Sequence, residues 1–221
     1  MPPVSDRSGA RLELADYRRR VAALYAELRE RGSDDAGACD RFRDGRDRLF
    51  ASHPATPLEP PALRAFGGIP YYPYDSALRF VVPVDPLAAD ADTGALRIDL
   101  GVDGVLALER IGRVRLAFGG EPVSLTVFWV AGYGGGLFLP FGDATNGGTT
   151  YGGGRYLLDT IKGADLGTVN GDLILDFNYA YNPSCAYSPD WVCPLAPPEN
   201  RLRVPVDAGE RAPVVAGRSS S

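Results

Sequence analysis

The stretch VLALERIGRVRLAFGGEPVSLTVFWV, residues 105–130, decides the fold. Apolar and polar side chains alternate through 114–118 and 123–129, with Gly119-Gly120-Glu121 between them. Period-two alternation on either side of a glycine turn marks paired strands with one face buried. Working outward, shorter runs of the same kind recur upstream at 78–84, 96–100 and 105–108, and downstream at 136–141, 155–161, 173–177 and 202–206. Turn residues such as Val102-Asp103-Gly104 separate them. Strands so evenly spaced, with no helical segment between them, predict a mainly β chain: a single antiparallel domain, barrel-like or a sandwich.

Ahead of the sheet the period changes. Leu14, Tyr17, Val21, Leu24 and Leu28 recur at alternating spacings of three and four, which predicts an amphipathic helix over 11–31, ended by Gly32. A second, more polar helix is expected over 40–51. The apolar stripe of the first packs either on the domain or on a second copy, giving a homodimer through the N-terminal helix. The organisation expected is a helical extension over 1–52, a β-rich domain over 53–211 and a polar, disordered tail over 212–221.

Composition narrows the function classes. A net charge of −5 argues against general nucleic-acid or anionic-membrane binding. No run approaches the ~20 apolar residues of a membrane helix, and the first residues lack the apolar core of a secretory signal. A cytoplasmic protein with reduced thiols is therefore expected. His53 is the single histidine, so histidine-rich metal sites are disfavoured and His53 reads first as a turn or capping residue. Cys185 and Cys193 lack zinc-knuckle spacing. No metal and no redox cofactor is expected, and no flavin or nicotinamide fingerprint is present.

Chemistry-bearing residues concentrate in residues 136–200. In FGDATNGGTTYGGGR (141–155), glycines flank short polar side chains, so backbone amides and Arg155 could together face an anion or carboxylate. Alternatively, Asp143 and Asn146 simply bond their own turns. In NYAYNPSCAYSP (178–189), amides and aromatics alternate without a core period, as a site wall would. Asp143, Tyr151 and Arg155 are the candidate catalytic residues. Tyr72, Tyr74, Thr150, Asn178, Asn182, Cys185 and Asn200 are the candidate substrate-binding residues. Asp75, Glu199 and Glu210 are further carboxylates that could converge with Asp143 for acid–base work; alternatively, Glu199 and Glu210 pair with Arg155, Arg79 or Arg201 as supports.

GGIPYYPYDSALRF, TYGGGRYL and LDFNYAYNPSCAYSPDWVCPLAPPENRL with a trailing AGE together resemble the prokaryotic family known as domain of unknown function 1684, over roughly residues 40–211. The resemblance implies a β-rich single-domain fold and carries no catalytic residue with it. The functional expectation is a small-molecule enzyme that uses general acid–base chemistry in a polar pocket; the alternative is a β-domain that binds a metabolite without turning it over.

Overall fold

The structure is a computed structural model, and it describes residues 4–87, 94–101 and 104–213, with side chains from residue 8 onward. The turn expected at Val102-Asp103 and all but the first two residues of the expected tail lie outside the described residues. Among the described residues, two long helices, α1 (Val4–Arg31) and α2 (Ala36–Ser52), and a short α3 (Pro60–Arg64) precede eight strands. These are β1 (Arg79–Val82), β2 (Leu96–Asp99), β3 (Val105–Phe118), β4 (Glu121–Val130), β5 (Gly136–Phe141), β6 (Arg155–Asp159), β7 (Thr168–Val169) and β8 (Asp172–Asp176). Strands β2 to β6 form a five-stranded antiparallel meander curled as a half-barrel, and β1, β8 and β7 form a second antiparallel sheet in that order.

The β3–β4 hairpin is the longest pairing, from Leu108 opposite Val130 to Phe118 opposite Glu121. The runs at 105–108 and 114–118 belong to one strand, not two. Its register shifts between Arg110 and Gly112. A bulge there lets Gly112 pass close to the segment after β1, where an added Cβ would lie 2.6 Å from the Asp85 carbonyl oxygen. The alternating faces then meet across the molecule. Val114, Leu116, Leu125, Val127 and Leu139 from the half-barrel pack against Leu173 and Leu175 of β8.

Phe177, fully buried just after β8, touches Phe80 of β1, Phe118 of β3 and Phe141 of β5 edge-on, with ring centroids 5.9, 5.1 and 5.1 Å away. One ring thus ties three strands from two sheets, and truncating such a residue to alanine costs about 3–5 kcal/mol.

The run at 202–206 is not a strand. Its backbone groups bond singly to turns: the Leu202 N–H to the Gly142 carbonyl, and the Val204 carbonyl to the Ala144 N–H. With Pro205 in the run, no ladder forms. Both helices pack in a second apolar cluster. Tyr25 and Leu28 of α1 and Cys39 and Phe42 of α2 pack with Tyr179, and Val21 and Leu24 pack against them, so the C-terminal part of the α1 stripe is covered within the chain. Asp35 caps α2 by accepting the Ala38 N–H, and His53 closes it. His53 Nδ1 accepts the Ala55 N–H and Nε2 lies 3.1 Å from Asp16 Oδ2, which pins the end of α2 to α1. Among the described residues no helix is long and apolar enough to cross a membrane.

Candidate functional site

The glycine-rich loop folds on itself. Asp143 Oδ1 accepts the Thr145 N–H and hydroxyl, and Asn146 Oδ1 accepts the Asp143 N–H, so both side chains close their own turns. Arg155 opens β6 and is fully buried. Its Nη2 donates to Asp143 Oδ2 at 2.8 Å and to the Val206 carbonyl at 2.9 Å, while Nη1 donates to the Ala208 and Glu210 carbonyls. Four protein acceptors therefore hold this guanidinium. The pair fastens residues 206–210 beneath the half-barrel, away from the cavity walls.

The other candidates separate in space. Asn200 is a bridge: its Nδ2 donates to the Thr126 and Pro140 carbonyls, and its Oδ1 accepts the Thr126 N–H. Asn178 exchanges bonds with the Asp75 backbone and donates to Asp176 Oδ1. Thr150 is buried beside Thr145, with hydroxyls 2.7 Å apart. The Tyr72 hydroxyl meets Thr149 at 2.5 Å. Tyr74 packs on the cluster that joins the helices to Tyr179. Tyr151 reaches Cys185, hydroxyl to Sγ, at 3.6 Å. Glu199 pairs with Arg110 and Glu210 with Arg46, different cations from those expected.

A cavity of about 330 Å³ lies between the half-barrel, α1 and the loop 181–194. Leu14, Tyr17 and Val21 of α1 roof it, Val130, Phe138 and Tyr156 supply the sheet side, and Trp191 and Cys193 stand in the loop wall. This size and lining suit a small, largely apolar organic molecule. Arg18, Asp159, Asn182, Ser184 and Cys193 add polar groups to the lining, as does Lys162, bonded to Asp159 at 2.8 Å. Of the candidate residues, Asn182 borders this space.

Arg46 of α2 forms part of the lining. Its Nε donates to Glu210 Oε1 at 2.9 Å and its Nη2 to the same oxygen at 2.5 Å, both groups being buried. Glu210 Oε2 accepts from the Asn182 N–H and the Tyr187 hydroxyl. The local backbone allows this because Gly209 takes φ +71°, and any Cβ there would lie 2.5 Å from the Ala180 carbonyl oxygen. Asn182 Nδ2 donates to the Arg211 carbonyl at 2.7 Å, which orients the amide. Its Oδ1 is buried and has no partner among the described residues.

Burial pushes the Tyr17 phenol up to about 12 and holds those of Tyr181 and Tyr187 well above their ordinary value. These hydroxyls stay protonated at neutral pH, so they serve as hydrogen-bond groups and not as bases. Arg46 and Tyr17, absent from the candidates named from sequence, sit on helices whose patterns signal only packing and solvation. Cys193 was visible as a thiol, but nothing in its spacing pointed to the cavity. Among the described residues no group of three or more histidine, cysteine or carboxylate side chains is arranged to hold a metal ion.

An antiparallel half-barrel backed by a small sheet, with two N-terminal helices closing a cavity, defines the fold class. The chain belongs to the family described as Protein of unknown function (DUF1684), whose model matches residues 64–211. It is similar to the uncharacterized protein from gene locus rrnAC0354 of Haloarcula marismortui, known from a solution NMR structure: 33% identity, a TM-score of 0.55, and coverage of 78% of this chain and 91% of that one. No curated protein matches. The family match begins after α1 and α2, so the roof of the cavity lies outside the matched segment while most of its walls lie inside.

Proposed function

We propose that the protein binds a small, mainly apolar organic molecule bearing one hydrogen-bond donor, in the cavity beneath α1. The observation that carries this reading is the Asn182 carboxamide oxygen, buried in the cavity wall with no protein donor among the described residues. A buried acceptor left unpaired costs about 1–3 kcal/mol, which a ligand hydroxyl or amide N–H would recover. Apolar walls and raised phenol pKa values favour binding over acid–base turnover. The catalytic reading of Asp143, Tyr151 and Arg155 has less support, because Asp143 and Arg155 direct their donors and acceptors to each other and to the backbone.

Trp191 supplies the test. In a Trp129→Phe background it is the sole tryptophan, and octan-1-ol, the probe, should change its emission saturably. Asn182→Leu should weaken that response about tenfold, the equivalent of one lost hydrogen bond of ~1.4 kcal/mol. No saturable change with octan-1-ol, together with a native mass equal to the bare chain, would overturn the reading.

A further inference from the structure

Two of the three cysteines meet at the cavity. Cys193 Sγ lies in the wall and accepts the Cys185 N–H at 3.4 Å; the Cys185 thiol is in turn 3.6 Å from the Tyr151 hydroxyl. Both thiols are free and partly exposed, whereas Cys39 is fully buried in the helix–sheet core. The same wall holds the unpartnered Asn182 oxygen, at 3% exposure, an acceptor suited to the O–H of a hydroperoxide. We propose that Cys193 and Cys185 form a peroxide-reactive dithiol opening on the cavity, with Cys193 as the attacking sulfur and Cys185 as the resolving one.

The environment divides the pair into these roles. A hydrogen bond from the Cys185 thiol holds Cys193 below a free cysteine; burial opposes this, while the Cys185 and Ser184 N–H groups and the Lys162 ammonium reinforce it. Donating that hydrogen bond, together with burial, pushes Cys185 up. Cys193 lines the cavity and Cys185 does not, so Cys193, as the thiolate, meets the peroxide and attacks first. Its sulfur bonds to one peroxide oxygen, the O–O bond breaks, and the leaving oxygen takes a solvent proton and departs as water. The sulfur is oxidised by two electrons to a sulfenic acid. Cys185 then attacks the Cys193 sulfur; the S–S bond forms, the S–O bond breaks, and the departing hydroxide leaves as water with the Cys185 proton. Two thiols and one hydrogen peroxide give one disulfide and two waters, and an external thiol restores the pair. This chemistry does not require a resident ligand, so a failed octan-1-ol titration leaves it standing.

The experiment treats the reduced full-length protein with hydrogen peroxide and reads intact mass, a peptide map and the rate of peroxide loss. Wild type is expected to lose the mass of two hydrogen atoms and yield a peptide joined at Cys185 and Cys193. Cys185→Ser is expected to accumulate a sulfenic acid on Cys193, trapped by dimedone, and Cys193→Ser to consume peroxide about tenfold more slowly. Far-UV circular dichroism checks that each variant folds. If Cys193→Ser does not, brief dimedone trapping in wild type decides which sulfur reacts first. First oxidation at Cys39 or Cys185, or equal peroxide consumption by wild type and a folded Cys193→Ser, would overturn the proposal.

Discussion

Two buried arginine–carboxylate pairs hold the same C-terminal segment, and they are built differently. Arg155 with Asp143 is sealed beneath the half-barrel, its two Nη groups bonded to Asp143 and to the carbonyls of Val206, Ala208 and Glu210, while its Nε has no partner among the described residues. Arg46 with Glu210 borders the cavity and is extended by Asn182 and Tyr187 into a network that leaves one oxygen unused. A charge cluster bonded into one backbone segment away from the cavity is a fastening; one that ends in an unpaired acceptor in the cavity wall has the makings of a site. The glycine-rich loop, the more site-like of the two in sequence, supplies the fastening.

The largest expected effect breaks the fastening. Arg155→Met strands a buried carboxylate and should lower the unfolding free energy by about 3–5 kcal/mol, measured by urea titration. Adding Asp143→Leu should restore part of that loss, since an apolar pair of similar volume removes both desolvation penalties. No recovery would mean that the loss does not arise from the stranded Asp143 charge. Glu210→Gln leaves the Arg46 guanidinium uncompensated and should cost about 3 kcal/mol. Unlike Arg155→Met, it should also weaken the Trp191 response to octan-1-ol. Equal effects of the two substitutions on that response would erase the distinction between fastening and site.

A third buried carboxylate sharpens the contrast by lacking a bonded cation. Asp176 Oδ1 accepts the N–H and Nδ2 of Asn178, but Oδ2 has no partner among the described residues. Burial raises this carboxyl to about 6, against the Asn178 hydrogen bonds and the charges of Arg79 and Arg43. The folded state thus binds the proton more tightly than the unfolded one, so this contribution is present below about pH 4 and is lost as pH rises through about 6. Stability should fall by about 2–3 kcal/mol across that window, and Asp176→Asn should flatten the fall. A wild-type profile that rises through the window, or an unchanged one in the variant, would exclude Asp176 as its source. The smallest effect is at the cavity edge. Lys162 is 47% exposed on its side chain, so Lys162→Ala should change stability by under about 1 kcal/mol despite its bond to Asp159.

How much of this could be read in advance follows from the range of each interaction. The β3–β4 hairpin, the start of β6 at Arg155 and the turn bonds of Asp143 and Asn146 are local, and periodicity or turn chemistry reveals them. Arg46 meets a carboxylate 164 residues away, and nothing near it in α2 sets it apart from its arginine neighbours. The break at 202–206 was equally hidden, because alternating apolar residues look the same whether their backbone pairs with a strand or is claimed by Asp143 and Arg155. Of the candidate site, the wall at Asn182 was legible as an amide on irregular backbone. The roof on α1 was read only as an apolar stripe with two destinations.

The shared clamp also sets a timetable for synthesis. Translation proceeds at about 5–20 residues per second, so Arg46 leaves the ribosome roughly ten to thirty seconds before Glu210 does. Throughout that interval Arg46 lacks its carboxylate, and Arg155, made in the later part of it, waits for the carbonyls of residues 206–210. The apolar core, which includes Val206 and Ala208, is therefore completed only when the last residues of the domain have been made.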